Sequence, residues 1–247
     1  MQLIFTFIIL SVVTLIAVLL ILLNKNTRSA KIHQIARENN WQYQEFIDLT
    51  DDVKYADFGL LNYSQNVIFR HFIQADNTYA GLAFNTFDCR AIEPLGIHNS
   101  SIILFTLTLG NEFKSLHLSL NRFYSDKDAF NDLSHQQSIK NQYRLQKLTA
   151  LEDHKRPKAL RNDLASASSI DVYANDSNQA YRFLQHVCSA AEDEKSLIDW
   201  LLAYPNLHIE ISNGMLLTYK KNTLIDDTSL IAAIDSVAKL ALLLSCD

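Results

Sequence analysis

The sequence predicts an α+β protein with an N-terminal transmembrane helix, followed by a mainly antiparallel sheet with helices packed on one face. Three observations predict this fold class. An uncharged apolar run occupies Leu3–Leu23, strand-like stretches dominate residues 41 to 120, and helical periodicity dominates after residue 174. Short connections between consecutive strands favour antiparallel pairing, and helices segregated from strands favour α+β.

The apolar run Leu3–Leu23 gives the clearest prediction in the sequence. Its 21 residues contain no charge, no Pro and no Gly, and as a helix they would cover a hydrocarbon core of roughly 30 Å at about 1.5 Å per residue. A cleaved signal peptide fits less well, because only Gln2 precedes the run, the run is long and no small-x-small cleavage site ends it. We therefore predict a retained anchor over residues 1–24.

The flanks of the run predict its orientation. No Lys or Arg precedes it, and several follow it. Because positive residues stay on the cytoplasmic side, we expect a single-pass membrane protein with its N-terminus outside and its body in the cytoplasm. Membrane lipid is then the first expected partner, and the basic side chains expected to contact anionic headgroups are Lys25, Arg28, Lys31 and Arg37.

A juxtamembrane helix is predicted for residues 25–40, because Ile32, Ile35 and Ala36 have the spacing of one apolar stripe. This helix either docks on the body, which we favour, or lies in the membrane interface. The body, residues 41–247, begins with a strand at Trp41–Phe46. Four further strands are predicted at Asn66–Ile73, Thr78–Arg90, Ile102–Leu109 and Ser115–Leu120, joined by Gln74–Asn77, Ala91–Ser101 and Gly110–Lys114.

The last of these strands alternates leucines with polar residues, which predicts one buried face and one wet face. Its polar residues are Ser115, His117 and Ser119. His117 and His208 are both interpreted as residues of a wet sheet surface, because the eight histidines of the chain show no i, i+4 pair and no other ligand spacing.

The predicted order of elements in the C-terminal part is β-α-α-β-β-α. Its strongest local signal is Asn213-Gly214 between two alternating stretches, since both residues of a type I′ hairpin turn need positive φ. Helix N-caps are expected at Asn175-Asp176-Ser177 and at Asp226-Asp227-Thr228. The predicted elements are strand Ser169–Ala174, helices Asn178–Ala190 and Glu194–Tyr204, hairpin Leu207–Lys220 and helix Ser229–Leu244.

A polar, basic, helical insertion is predicted for residues 121–165, within an acidic body. It is interpreted either as a solvated insertion or as a docking patch for anionic headgroups or an acidic partner. The basic residues of this possible patch are Lys140, Arg144, Lys147, Lys155, Arg156, Lys158 and Arg161.

Charge and motif content favour neither a nucleic-acid binder nor a motif-bearing enzyme. The net charge of −5 belongs to the body, whereas nucleic-acid binders show a basic excess. The three cysteines, Cys89, Cys188 and Cys246, have no C-x-x-C spacing and are interpreted as reduced thiols. The closest approach to a reactive cluster is Asp88-Cys89-Arg90 with Glu93, where Cys89 is either an activated nucleophile or a buried cysteine.

Three stretches resemble a family of uncharacterised bacterial single-pass membrane proteins with a cytoplasmic α+β domain. They are IARENNWQYQE (Ile35–Glu45), SIDVYANDSNQAYRFL (Ser169–Leu184) and the hairpin with its final helix (Asn206–Ala241). The resemblance implies a membrane-tethered domain, and it carries no catalytic residue to transfer.

The function predicted from these observations is a membrane-tethered interaction or scaffold protein, with cell division or envelope assembly as its setting and other inner-membrane proteins as partners. The alternatives are a ligand-binding sensory domain and an enzyme with an active site near Asp88–Glu93. No catalytic residue, metal ligand or cofactor is predicted, and no nucleic-acid partner is expected.

Overall fold

The computed structural model describes residues 2–49, 58, 67–93, 96–122, 146–147, 170–190, 200, 203–204 and 206–245. Within these ranges the α+β class and the antiparallel sheet are confirmed. The strands are β1 Gln42–Ile47, β2 Val67–Tyr79, β3 Leu82–Glu93, β4 Gly96–Thr106, β5 Leu118–Arg122, β6 Gln146–Lys147, β7 Ile170–Ala174, β8 His208–Ser212 and β9 Met215–Tyr219. The helices are α1 Gln2–Glu38, α2 Ser177–Ala190 and α3 Leu230–Leu244.

All nine described strands form one sheet in the order β1-β2-β3-β4-β9-β8-β5-β7-β6, and every described pairing is antiparallel. The C-terminal hairpin β8–β9 lies in the middle of this sheet, between β4 and β5. The turn residues Asn213 and Gly214 both have positive φ, 50° and 70°, as the Asn-Gly signature predicted. The hairpin therefore joins the N-terminal strands to the later ones.

One face of the sheet carries the helices. The main hydrophobic core contains Ile32 and Ala36 of α1, Phe183 of α2 and Ile234 of α3, together with inward residues of the strands such as Phe105. The first predicted cap is present, because Asp176 accepts the backbone N–H of Gln179 at the start of α2. Asp226 accepts the backbone N–H of Thr228, but it caps the 3-10 turn Asp227–Ser229 that leads into α3 and not α3 itself.

The second face is also buried, which makes the predicted wet face wrong. Phe69, Phe87 and Leu217 belong to a second core cluster on this side. His117 and Ser119 are each only 5% exposed, and His208 is buried as well. Strict alternation of apolar and polar residues predicted a solvated face, but a sheet covered on both sides can bury the polar set too.

Two predicted connections belong to strands. Gln74–Asn77 lies within β2, and the chain turns instead at Ala80 and Gly81, whose φ angles are 51° and 88°. Most of Ala91–Ser101 lies in β3 and β4, which pair as far as Glu93 with Gly96. An Ala-Gly turn has a weak sequence signature, because alanine at positive φ is uncommon.

The predicted insertion lies mostly outside the described residues. Its described parts differ from the helical prediction, because Asn121 and Arg122 end strand β5 and because Gln146 and Lys147 form the short strand β6 against β7. The predicted helix Glu194–Tyr204 also falls largely outside the described ranges.

The juxtamembrane segment is the C-terminal part of α1, a single helix from Gln2 to Glu38. Within the described residues, no helix has the combined length and hydrophobicity that a bilayer crossing needs. The N-terminal transmembrane helix stays a prediction.

Candidate functional site

A network of ion pairs and hydrogen bonds joins α1 to the sheet, and we refer to Arg28, Asp88, Ser101 and Ile225 as the junction. Arg28 binds Asp88 with two donors, Nε to Oδ2 at 3.0 Å and Nη2 to Oδ1 at 3.1 Å. This is the two-pronged geometry that the planar guanidinium offers a carboxylate. The two side chains are 24% and 15% exposed, so water screens the pair only partly.

The other contacts of the junction connect it to the loop before α3. Arg28 Nη1 donates to the carbonyl oxygen of Ile225 at 2.9 Å, and Ser101 Oγ donates to Asp88 Oδ1 at 2.6 Å. The backbone N–H of Ile225 in turn donates to Ser101 Oγ at 2.9 Å. One helix, two strands and one loop therefore meet at the junction, where Arg28 and Ser101 bind both the Asp88 carboxylate and the backbone of Ile225.

A second ion pair lies one turn further along α1. Lys31 Nζ is 2.7 Å from Asp227 Oδ2. The hydrogen bond from Lys31, together with one from Asp226, lowers the pKa of Asp227 to about 2, and the pairing raises the pKa of Lys31. Lys31 remains largely exposed, so this pair contributes less to stability than the junction does.

Tyr43 of β1 adds a third link. Its hydroxyl lies 3.1 Å from Ser29 Oγ and 3.1 Å from His71 Nδ1, and its ring stacks on His33 of α1 with the centroids 5.0 Å apart. His71 has a φ of 55° at a register shift of β2. Burial lowers the pKa of His71, which favours its neutral form.

The structure describes the side chains of three of the four predicted headgroup contacts, Arg28, Lys31 and Arg37. Arg28 and Lys31 are engaged with carboxylates of the body, and Arg37 is exposed in the last turn of α1. The side chain of Lys25 lies outside the described residues. Of the possible docking patch only the backbone of Lys147 is described, in β6; the other six residues, Lys140, Arg144, Lys155, Arg156, Lys158 and Arg161, lie outside the described ranges.

The Asp88–Glu93 cluster does not form a nucleophilic site around its cysteine. Asp88 and Cys89 are neighbours on β3 and point to opposite faces of the sheet, Asp88 toward α1 and Cys89 into the second core. Burial and the adjacent Asp88 raise the pKa of the Cys89 thiol to about 12. An activated cysteine needs the opposite shift, so the buried-cysteine interpretation fits the structure.

A buried polar cluster occupies the second face on the central strands, and sequence reasoning missed it because it expected water there. His208 of β8 stacks on Tyr219 of β9 with ring centroids 4.6 Å apart and an interplanar angle of 11°. Tyr219 donates to Glu210 Oε1 over a long distance of 3.5 Å, and Glu210 is 1% exposed. Burial lowers the pKa of His208 to about 3, which keeps the imidazole neutral at ordinary pH.

The described contacts of the junction attach α1 to the sheet. The Asp88 carboxylate is fully engaged by a guanidinium and a hydroxyl, so it is a poor general base. No group of three or more His, Cys, Asp or Glu side chains within the described ranges could hold a metal ion.

Comparisons with protein-family models, with curated proteins and with solved structures found no match to this chain. The resemblance to single-pass membrane proteins therefore stays a prediction.

Proposed function

We propose that this chain is a membrane-tethered interaction or scaffold protein of the bacterial inner membrane, with its N-terminus in the periplasm and its α+β domain in the cytoplasm. The observation that carries the proposal is the surface of the N-terminal part of α1. Its described large apolar side chains, eleven between Ile9 and Leu23, are each 49% to 63% exposed.

This exposure is nearly uniform around the helix. A helix that packs on a domain has one buried stripe and one polar side, whereas a helix that is apolar all round belongs in an apolar environment. Exposed apolar surface of this extent marks an interaction site with lipid or protein. The uncharged sequence Leu3–Leu23 within the single helix Gln2–Glu38 favours lipid.

The way the body is attached supports a scaffold role. Only four residues separate Leu23 from Arg28, the first residue with a described contact to the sheet, and they continue the helix. A helical connection of that length spans about 7.5 Å and cannot act as a flexible linker. The body would therefore be presented to partners close to the membrane in one orientation, and cell division and envelope assembly are settings where such a platform is used.

Membrane attachment is tested by fractionating cells that carry the full chain and washing the membranes at alkaline pH. We expect the chain to stay in the pellet. A variant with Leu15→Lys and Val18→Lys should move to the supernatant, because each charge at the centre of a spanning helix costs roughly 3 kcal/mol. If the unsubstituted chain were washed off as easily as the variant, the tether would be ruled out.

Orientation and scaffolding need separate measurements. A reporter that is active only in the periplasm should stay silent when it is fused after Asp247. Affinity purification from detergent-solubilised membranes should then recover inner-membrane or membrane-associated proteins in stoichiometric amounts. A chain whose α1 apolar segment is exchanged for an unrelated span should keep them, because the body is the proposed docking element. A monomer that copurifies with nothing would contradict the scaffold role.

A ligand-binding sensory domain is the second candidate, and the buried polar cluster favours it. His208, Glu210 and Tyr219 place a neutral imidazole, a carboxyl group and a phenol close together inside the protein. Such groups orient small polar ligands in binding sites. A rise in the melting temperature with a metabolite, lost in Glu210→Gln, would favour sensing over scaffolding.

A further inference from the structure

The surface of the body nearest the N-terminal half of α1 has a composition that suits a membrane interface. We name this surface the membrane-proximal edge and define it by Ile68 of β2, Arg90 of β3, Ile97 of β4 and Leu224 of the loop before α3. The three apolar side chains are 45%, 51% and 44% exposed, and Arg90 is exposed as well.

The strand register brings the sheet residues of the edge together. Ile68 pairs with Arg90, and Arg90 pairs with Asn99 on its other side. Ile97 lies two residues before Asn99 on β4, and therefore on the same face. This is also the face of Asp88, which receives Arg28 of α1. The edge thus continues the helix-bearing face beyond the point where the described contacts of α1 end.

Leu224 is held beside these strands by its neighbours. The carbonyl of Thr223 accepts the backbone N–H of Ser101 at 3.0 Å, and the N–H of Ile225 donates to Ser101 Oγ at 2.9 Å. Asn222 is fixed in the same way by Ser100 and His98. Leu224 is therefore exposed on a backbone that is hydrogen-bonded on both sides of it.

The direction of α1 places the edge on the membrane side of the body. At the C-terminal end of α1, Trp41 packs edge-on against Phe84 with centroids 5.0 Å apart, whereas Arg28 contacts Asp88. β3 therefore runs antiparallel to α1, so that the later residues of β3 lie toward the N-terminal end of α1. Continuing past Asp88, β3 leads to Arg90 and to the end of the β3–β4 hairpin.

The lengths of β3 and α1 place the end of the β3–β4 hairpin at the level of the apolar run. From Asp88 to Glu93, β3 extends by about 16 Å at roughly 3.3 Å per residue. From Arg28 back to Leu23, α1 extends by only about 7.5 Å at roughly 1.5 Å per residue. Even if the helix and the strand cross at about 40°, the hairpin advances by roughly 12 Å along the helix axis and passes the level of Leu23.

We propose that the membrane-proximal edge inserts into the headgroup layer of the bilayer, so that the body contacts lipid at a second site besides the helix. The occupant we commit to is an anionic lipid interface. Ile68, Ile97 and Leu224 supply apolar side chains for its outer hydrocarbon boundary, and Arg90 supplies a positive charge for its phosphates. This inference rests on the proposed membrane anchor and deepens it.

Tryptophan fluorescence with brominated lipids tests the proposal on the full chain in bilayer nanodiscs, because bromine on the acyl chains quenches tryptophan at short range. The test variant is Ile97→Trp, at a position that pairs with Ile92 near the hairpin end, and the control is Leu242→Trp. The two native side chains are 51% and 44% exposed. Leu242 lies near the end of α3, where Ser245 Oγ accepts the N–H of Thr108, beyond the opposite end of β4. The native Trp41 and Trp200 provide the background, measured in the unsubstituted chain.

We expect the Ile97→Trp signal to be quenched at least twofold by brominated lipid and to shift to shorter wavelength, while Leu242→Trp behaves as the background does. Leu224→Trp should be quenched less, because its neighbours are bonded to Ser101 at the level of Asp88. Arg90→Glu should reduce the quenching of the Ile97→Trp chain in anionic but not in neutral nanodiscs. Equal quenching of Ile97→Trp and Leu242→Trp in chains that are inserted in the nanodiscs would overturn the membrane-proximal edge alone. A chain that fails to insert at all would instead overturn the anchor on which it rests.

Discussion

The N-terminal and C-terminal halves of α1 form one continuous helix, yet their side chains have opposite surroundings. Between Ile9 and Leu23 the described apolar side chains are all exposed, and the body covers none of them. Between Arg28 and Ala36 the helix buries Ile32 and Ala36 and makes two ion pairs with the body. One continuous helix thus serves two environments, because the distribution of apolar and polar side chains around the axis of α1 changes near residue 25.

The largest expected difference between the halves concerns core packing. Ile32→Ala should lower the free energy of unfolding of the body by about 3 kcal/mol, because it leaves a cavity at a side chain that is 3% exposed. Leu15→Ala in the other half should change it by less than about 0.5 kcal/mol, because surface substitutions rarely do more. Denaturant titration in mild detergent, followed through the buried Trp41, measures both. Equal losses would show that the N-terminal half also packs on the body.

The junction should give the next largest effect. Arg28→Ala removes the bidentate pair and leaves the Asp88 carboxylate with only the Ser101 hydroxyl among its described partners. We expect a loss of about 2 kcal/mol, below the 3–5 kcal/mol of fully buried pairs because both groups keep some exposure. Glu45→Gln is the control, since its 3.8 Å contact with Arg70 is exposed and should contribute less than about 0.5 kcal/mol. The same denaturant titration measures the free energy of unfolding of both variants. If Arg28→Ala lost no more stability than Glu45→Gln, Arg28 would not be what attaches α1 to the sheet.

The hydroxyl of Tyr43 should contribute less again. Tyr43→Phe removes its contacts with Ser29 and His71, and a part-buried hydrogen bond is worth about 1 kcal/mol. Tyr204→Phe is matched in chemistry, but its 2.6 Å bond to Ser236 lies at the surface. We expect the Tyr204 variant to match the unsubstituted chain in thermal unfolding and the Tyr43 variant to unfold a few degrees lower. The reverse order would contradict the assigned role of Tyr43.

The smallest effect is expected from the exposed pair of Lys31 and Asp227. The pKa of Asp227 is about 2 in the folded chain and 3.8 for an unperturbed carboxyl, so the folded state binds its proton less readily. The pair therefore stabilises the fold above about pH 4, and this contribution is lost as the pH falls toward 2. Lys31→Met should raise the Asp227 midpoint, followed by carboxyl NMR, and flatten the stability profile over that range. An unchanged midpoint would show that Lys31 is not the cause.

Much of the fold follows from local sequence patterns. The Asn213-Gly214 hairpin and the cap at Asp176 are confirmed, because each depends on residues within a few positions of one another. The strand bounds are only partly right, since the predicted strand Thr78–Arg90 crosses the turn at Ala80 and Gly81. The turn at Ala80-Gly81 was missed because alanine is uncommon at positive φ, so that Gly81 was the only turn-forming residue of the pair. Neither the strand order nor the central place of β8–β9 could be predicted, since both depend on pairings between residues far apart in the chain.

The candidate site was less predictable than the fold. Arg28 was expected to face lipid headgroups, and the structure pairs it with a carboxylate 60 residues away. Asp88 was noted beside Cys89, but alternation along β3 separates the two onto opposite faces. The buried cluster of His208, Glu210 and Tyr219 had no local signal, because a polar residue in an alternating strand has the same pattern whether its face is wet or covered.

Local sequence patterns were enough to predict the hairpin β8–β9, helices α2 and α3, and the point where an uncharged apolar run meets a basic flank. Hydrophobic periodicity, turn residues and capping residues are local, so they can be read without coordinates. The tertiary structure alone decided that both faces of the sheet are buried and that Arg28 attaches α1 to Asp88. These features depend on which distant surfaces meet, and burial and charge pairing acquire their energies only when those surfaces are in contact.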